Sequence, residues 1–336
     1  MILLFETGMK MKIFSINTEL DKVTGVQKVL VDIHCAVKDK YVAKIVSQLS
    51  YRQIDSNLRI QEEEYICWRN PFLFYNSLVF VHERKVLLIL WLLNTLLFQR
   101  IKIIYIHHNI LRGWRWVPMP KCVVAISDRC LDNLLNYFNL NPRHIHKIYN
   151  CVNDIHPFSH KYKEGLEIKV LYPARINGVK RQIEIVNYLK GRLSPYVKIL
   201  FAGTGPSYEE LNNITKENSQ FITLGFRNDI LQLFQQCDYV LLFSEHEGLP
   251  ITLIEATMCG TPIVCNDVGG NCEIAYDGEN AIVVNEWEKL IETLNKLPEI
   301  SEVEYRRMSN ASRNIYEKNF TFEAFKQNYL NLLNEL

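Results

Sequence analysis

Short apolar runs alternate with helical ones along this whole chain, and that alternation restricts the fold more than any single motif does. The strand-like runs are Lys12 to Ile16, Leu78 to His82, Ile101 to Ile106 and Cys122 to Ile126 in the first half. In the second half they are Lys169 to Tyr172, Val197 to Ala202, Phe221 to Leu224, Tyr239 to Phe243, Pro262 to Cys265 and Ala281 to Val284. Between them lie Gly25 to Val37, Lys85 to Gln99, Ser127 to Phe138 and Arg181 to Leu189, which read as helices. A strand that is apolar along its length is buried on both faces, as inside a parallel sheet covered by helices. The expected class is therefore α/β. At 336 residues and 48% hydrophobic content the chain can fill two cores of ordinary size. The polar stretch Asn153 to Glu167 reads as the linker between them, and residues 52 to 77 show no clear period.

Charge narrows the range of partners. With 38 basic against 37 acidic side chains there is no electrostatic footprint for nucleic acid, and none is expected as a partner. Locally the balance differs. From His82 to Lys121, Arg84, Lys85, Arg100, Lys102, Arg112, Arg115 and Lys121 stand against Glu83 alone, which is seven minus one, or +6. The same stretch holds Trp91, Trp114, Trp116 and the apolar run Val86 to Phe98, whose thirteen residues are too few to span a bilayer. That run reads either as a buried helix of the first domain or, with its cations, as a peripheral docking face for an anionic membrane. The nine cysteines are scattered without a Cys-x-x-Cys pair, which fits reduced thiols in a cytoplasmic protein. The N-terminus lacks the pattern of a signal peptide, and residues 1 to 8, ahead of Met9 and Met11, read as a start-site extension.

The richest segment for chemistry is Ser244 to Pro262. It follows the strand Tyr239 to Phe243, turns through Ser244 to Gly248, and enters a helix expected from Pro250 to Cys259. Pro250 suits a first helical position, where its missing N–H costs nothing, and Gly260 with Pro262 marks the stop. The helix start lies at the carboxyl edge of a parallel sheet, where free N–H groups favour an anionic phosphate. Glu247 in the turn and Glu255 in the helix could then meet the sugar and the ribose of a nucleotide sugar. The plainer alternative is a Glu near a helix start and a second, solvated one.

Other candidates lie at the same kind of edge. Arg175 and Lys180 flank the loop after Lys169 to Tyr172, and together could offset a diphosphate without a metal; alone, two loop cations are more often simply solvated. Gly203-Thr204-Gly205-Pro206 follows Val197 to Ala202 and lacks the third glycine of a dinucleotide fingerprint, so it is a turn near a nucleotide or a purely structural turn. His107 and His108 end Ile101 to Ile106, and strand alternation lets one of them face a ligand; a lone histidine at such a place is more often a hydrogen-bonded structural residue. Gly25, between the first strand and its helix, permits close backbone approach to a ligand or is an ordinary turn glycine. No Asp-x-Asp and no metal-ligand spacing occur, so neither metal nor other cofactor is expected; covalent Ser or Cys catalysis has no motif.

These residues resemble the retaining, nucleotide-sugar-dependent glycosyltransferases of the group 1, or family four, type. The resemblance rests on Arg175 with Lys180, Gly203-Thr-Gly-Pro206, Leu224-Gly225, Glu247-Gly-Leu-Pro with Glu255-Ala256, Gly260-Thr-Pro, Val268-Gly-Gly with Glu273, and Asp277-Gly278, in family order. It implies a GT-B fold: two Rossmann-like domains facing each other across a cleft, with residues 1–155 and a returning helix 321–336 on the acceptor side and 165–318 on the donor side. It further implies that Arg175 and Lys180 hold the donor diphosphate, that Glu247 meets the donor sugar and Glu255 the ribose, and that Phe226 and Arg227 contact the base. Gly248, Leu249 and Pro250 belong to the same donor-binding turn. The first half departs from the family: Thr24-Gly25-Val26 replaces a two-glycine loop, and His108-Asn109 replaces a His-Asp pair, leaving His108 as the candidate for the donor-sugar histidine. Ala281 replaces a usual glycine.

The implied activity is transfer of a hexose or N-acetylhexosamine from a UDP- or GDP-linked donor to a glycan or polyprenyl-linked acceptor in cell-surface polysaccharide synthesis. The implied setting is cytoplasmic, at the inner face of the membrane if residues 82–121 dock there. A nucleotide-sugar epimerase of the same fold and a non-catalytic partner subunit are the alternatives.

Overall fold

The computed structural model describes residues 11–113, 115–154 and 167–336, and the structural statements below concern these residues. Trp114, most of the linker and the expected start-site extension lie outside them. The chain divides into two compact units, residues 1–149 with 322–336, and residues 150–321.

The first unit is built on a seven-stranded sheet, all of whose pairings are parallel. Its strands are β1 (Lys12–Ile16), β2 (Val42–Ser47), β3 (Tyr65–Cys67), β4 (Leu78–Val81), β5 (Lys102–His107), β6 (Cys122–Ala125) and β7 (Ile145–Lys147), in the order β3-β2-β1-β4-β5-β6-β7. β4 and β6 are buried along their full length, as their unbroken apolar runs require. The strands β2, β3 and β7 lie outside the apolar runs named above. β3 sits in the segment without a period, where three one-turn 3₁₀ helices precede it and Leu58, Ile60 and Tyr65 pack with Leu20, Leu30 and Ile45. Helix α1 (Gly25–Val37) follows β1, α2 (Arg84–Leu97) follows β4, and α3 (Asp128–Asp132) passes directly into a π turn at Asn133–Tyr137.

The second unit carries a six-stranded parallel sheet, β8 (Ile168–Pro173), β9 (Val197–Ala202), β10 (Phe221–Gly225), β11 (Tyr239–Leu242), β12 (Ile263–Cys265) and β13 (Ala281–Val283), in the order β10-β9-β8-β11-β12-β13. Its helices are α4 (Gln182–Leu189), α5 (Tyr208–Thr215), α6 (Ile230–Gln236), α7 (Ile251–Met258), α8 (Trp287–Lys296) and α9 (Glu302–Asn319). After a break at Phe320 and Thr321, α10 (Phe322–Asn334) belongs to the first unit, where Tyr329 meets Phe80 edge-on at 5.8 Å.

These strand orders fix where a ligand site can form. In each sheet the chain winds outward from one strand and then restarts on that strand's other side, so the loops after the two central strands diverge and leave a crevice at the carboxyl edge. In the first unit the crevice lies between β1 and β4, and in the second between β8 and β11.

Helix α2 is only half covered. Val86, Leu87 and Leu90 are buried, whereas Ile89, Trp91, Leu92, Leu96 and Leu97 are exposed and Phe98 just beyond the helix is 80% exposed. The reading of Val86 to Phe98 as a buried helix of the first domain thus holds for one face alone: that face fills the core and the other is an uncovered apolar surface. No helix among the described residues is long and apolar enough to cross a membrane.

Candidate active site

The second unit gathers most of the candidate residues at its β8/β11 crevice. Asn177 ends the loop after β8 and caps a 3₁₀ turn, Gly178–Lys180, by accepting the Lys180 N–H through its side chain at 3.0 Å. The Tyr172 hydroxyl then ties both loops together: it donates to the Lys180 carbonyl at 2.5 Å and accepts from Phe243 N–H at 3.3 Å. Burial pushes that phenol well above its ordinary pKa, so it stays a donor. A backbone bond from Glu245 N–H to the Val179 carbonyl, 2.8 Å, completes the link. The outcome is an ion pair: the Lys180 ammonium donates to Glu247 Oε1, with the Glu247 side chain only 8% exposed. Arg175 lies in the same loop, exposed, and its guanidinium has no ion-pair partner among the described residues.

The glycines have a steric cause. Gly203 has φ +148°, and a Cβ there would stand 2.1 Å from the Ala174 carbonyl oxygen; a Cβ on Gly205 would stand 2.2 Å from that of Ile176. Ile176 N–H donates to the Thr204 carbonyl at 3.0 Å, so this turn lies flat against the Arg175 loop. Gly269 does the same for Glu247: it has φ +54°, and a Cβ would meet the Glu247 carbonyl oxygen at 2.0 Å. Gly270 N–H donates to the Gly248 carbonyl at 2.8 Å.

Helix α7 begins at Ile251, one residue later than the sequence suggests. Pro250 is its N-cap, with extended φ −72° and ψ 115°, and its carbonyl already accepts from Leu253 N–H at 3.0 Å. Thr252 Oγ1 donates to the Pro173 carbonyl at 3.1 Å, anchoring the helix start on the end of β8. Gly248 and Leu249 are buried beneath it, and Glu255, its fifth residue, is 8% exposed. Phe226 is exposed after β10, and Arg227 beside it is engaged in a bidentate pair with Asp229. β10 is two strands from β8, about 10 Å at 4.8 Å per strand.

The first unit carries its own polar set at the β1/β4 crevice. Thr18, after β1, donates through N–H at 3.2 Å and Oγ1 at 2.8 and 3.0 Å to the Glu83 carboxylate after β4. Gly25 is the exposed first residue of α1 behind the Thr24 cap, and Gln27 of that helix donates to the Glu19 carbonyl at 2.9 Å, holding the loop after β1. Of the two adjacent histidines, His107 is fully buried with Nε2 2.9 Å from Asn133 Oδ1 in the π turn, while His108 Nε2 lies 2.9 Å from His82 Nδ1. Burial drives both rings toward neutrality, His107 down to about 4 and His108 to about 3.

Thr18, His82, Glu83 and Tyr172 are absent from the residues chosen on sequence, and Gly269 was noted only within the Val268-Gly-Gly motif, with no role assigned. His82 and Glu83 carried a usable signal, since both close an apolar run at the carboxyl end of a strand; Tyr172 acts through loops distant in sequence and carried none. Among the described residues no three His, Cys, Asp or Glu side chains are grouped to hold a metal ion.

Comparison with known proteins bears on this geometry. The family described as "Glycosyl transferases group 1" matches residues 155–315. The putative glycosyltransferase EpsD of Bacillus subtilis is 30% identical over 131 residues, 37% of this chain and 34% of that protein. The N,N'-diacetylbacillosaminyl-diphospho-undecaprenol alpha-1,3-N-acetylgalactosaminyltransferase of Campylobacter jejuni is 31% identical over 157 residues, 45% of this chain and 41% of that protein. The matched stretches thus span well under two thirds of these relatives. Among solved structures, HepE of Anabaena in complex with UDP-glucose superposes with a TM-score of 0.81 at 19% identity, covering 97% of this chain and 100% of that one. A glycosyltransferase of Rickettsia africae superposes at 0.79 with 17% identity, covering 97% and 98%. At such identities the superpositions show the shared GT-B fold of paired Rossmann-like units.

Proposed function

We propose that this chain, whose residues 155–315 match the group 1 glycosyl transferases, is one of them and moves a hexose or N-acetylhexosamine from a nucleoside diphosphate sugar to a glycan or polyprenyl-linked acceptor, with retention at the anomeric carbon. The observation that carries this reading is the pairing of Lys180 with Glu247 across the β8/β11 crevice, with the uncommitted Arg175 cation in the same loop.

In this reading Arg175 and Lys180 take the diphosphate as its bond to the sugar breaks, and their charge offsets the charge that develops on the leaving group. The first free N–H groups of α7 add to that field. Glu247, released from Lys180 by the incoming phosphates, turns to the sugar hydroxyls, and Glu255 takes the ribose. The nucleoside runs over the flat Gly203–Pro206 turn to Phe226, a span of about 10 Å that two strand spacings supply.

Uridine is the favoured base, because HepE is solved with UDP and UDP-glucose and a relative from Escherichia coli is named for UDP-Gal. A lipid-linked acceptor is favoured because the Campylobacter and Escherichia relatives are named for diphospho-undecaprenol substrates. The uncovered apolar face of α2, bordered by Lys85, Arg100 and Lys102, supports docking on the anionic cytoplasmic face of the membrane where such acceptors reside.

The test is a thermal-shift and transfer panel with UDP-glucose, UDP-N-acetylglucosamine, GDP-mannose and the free diphosphates. A donor at about 100 times its Kd adds ~2.7 kcal/mol of stability. Stabilisation by UDP-sugars with transfer to a prenyl-diphosphate saccharide upholds the proposal. Conversion of the donor without any acceptor would favour an epimerase, and a silent panel a non-catalytic partner.

A further inference from the structure

The ends of β4 and β5 bring together two imidazoles whose pairing fixes a proton. His82 Nδ1 and His108 Nε2 lie 2.9 Å apart, with the rings stacked at 5.1 Å and 21° between their planes. The residues are 5% and 7% exposed. A hydrogen bond between two neutral imidazoles needs one N–H and one lone pair, so only two arrangements exist.

His82 Nε2 decides between them, because it is buried and has no hydrogen-bond partner. If His82 carried its proton there, that N–H would be an orphaned buried donor, which folded proteins tolerate less than a bare acceptor lone pair. The proton therefore sits on Nδ1 and is donated to His108 Nε2. Once Nε2 of His108 is an acceptor, the neutral ring carries its own proton on Nδ1. Burial holds both rings neutral, so the arrangement persists at physiological pH.

We infer that His82 is a positioning residue that locks His108 in the Nδ1–H tautomer and so makes it a hydrogen-bond donor to a ligand oxygen, a sugar hydroxyl or an N-acetyl carbonyl. The functional half of this inference rests on the reading of His108 as a donor-sugar residue; the tautomer does not.

Ring nitrogens of His108 can be observed directly by long-range ¹⁵N–¹H correlation on the full chain labelled at histidine, with the signal assigned by its loss in His108→Gln. The wild type is expected to show a pyrrole-type Nδ1 and a pyridine-type Nε2. His82→Leu removes the donor and should move His108 toward the Nε2–H form, with kcat/KM for the UDP-sugar falling about tenfold, the scale of one misdirected neutral hydrogen bond. His82→Asn, whose amide nitrogen takes the place of Nδ1, should restore both the tautomer and most of the rate. A pyridine-type Nδ1 in the wild type, or an unchanged His108 spectrum in a folded His82→Leu protein, overturns the inference. A switched tautomer with unchanged kinetics overturns the role of His108 in donor binding while leaving the lock in place.

Discussion

The Lys180 ammonium and the Glu247 carboxylate, 67 positions apart in sequence, form an ion pair that bridges the loops after β8 and β11. The same two loops are already held by Tyr172 and by the Glu245 to Val179 backbone bond, so the pair is the readily exchanged part of the link. Under the proposed function, a diphosphate replaces Glu247 as the partner of Lys180 at little cost in structure. Glu247→Gln is therefore expected to leave the Kd for UDP within about threefold of wild type and to lower kcat by about 100-fold, the scale of one lost transition-state contact. Lys180→Met should do the reverse to binding, weakening UDP by about 10- to 150-fold, as loss of a charge-assisted hydrogen bond of about 1.5–3 kcal/mol implies. Calorimetric titration with UDP separates the two; equal losses of UDP affinity would contradict the exchange of partners.

Gly205, in the turn after β9, and Gly178, in the loop after β8, are expected to respond differently to the same methyl group. A Cβ on Gly205 meets the Ile176 carbonyl at 2.2 Å, whereas one on Gly178 meets nothing within 4 Å. Gly205→Ala should push the Arg175 loop away and cost about 1–3 kcal/mol, the usual range for overpacking, with weaker UDP binding. Gly178→Ala should be neutral in both. Urea midpoints compare them, and a Gly205→Ala protein as stable as the Gly178→Ala one would remove the close approach as the reason for that glycine.

Much of the parallel-sheet architecture could be read from the apolar runs, because strands buried on both faces leave an unbroken signature. β3 could not, since Tyr65, Ile66 and Cys67 form one edge of the sheet and are sheltered by loop residues such as Leu58 and Ile60 instead of a periodic helix. The long helix expected over Ser127 to Phe138 changes to π winding at Asn133, where that side chain serves His107, Leu111 N–H and the Leu111 carbonyl at once; a local pattern has no means of registering partners 22 and 26 residues away. At the candidate site, Glu247, Arg175 and Lys180 were legible as charges just beyond apolar strands. Their mutual placement was not, because it depends on which strands are neighbours, a property of the sheet order alone.

Acid sensitivity should follow from the buried histidines. In the unfolded chain His107 titrates near 6.5, while burial lowers it to about 4 in the fold. Below pH ~6.5 the unfolded state thus binds a proton the folded state refuses, so stability is full above that pH and is lost as pH falls toward 4, by about 1.4 kcal/mol per pH unit for each such group. His107→Gln removes one titrating group while keeping an amide near the position of Nε2. It should lower stability at neutral pH, through imperfect bonding to Asn133, and flatten the decline between about pH 6.5 and 4.5. Urea midpoints across that interval measure the slope, and an unchanged slope would mean that His107 already takes up its proton in the fold.

The exposed side of α2 offers a test that leaves the folded core alone. Leu96 is 67% exposed and Phe98 80%, so charges there should leave thermal stability nearly unchanged. If the face enters a membrane, burying these two side chains contributes about 1.5–3 kcal/mol each, and Leu96→Glu with Phe98→Glu should reduce co-sedimentation with phosphatidylglycerol-containing vesicles by well over about tenfold. The neighbouring cations add roughly 1 kcal/mol apiece near an anionic surface. Wild-type binding should therefore weaken as salt is raised and weaken further on vesicles of phosphatidylcholine alone. Binding that the double variant retains, or that ignores the lipid headgroup, would assign the apolar face of α2 to something other than a bilayer.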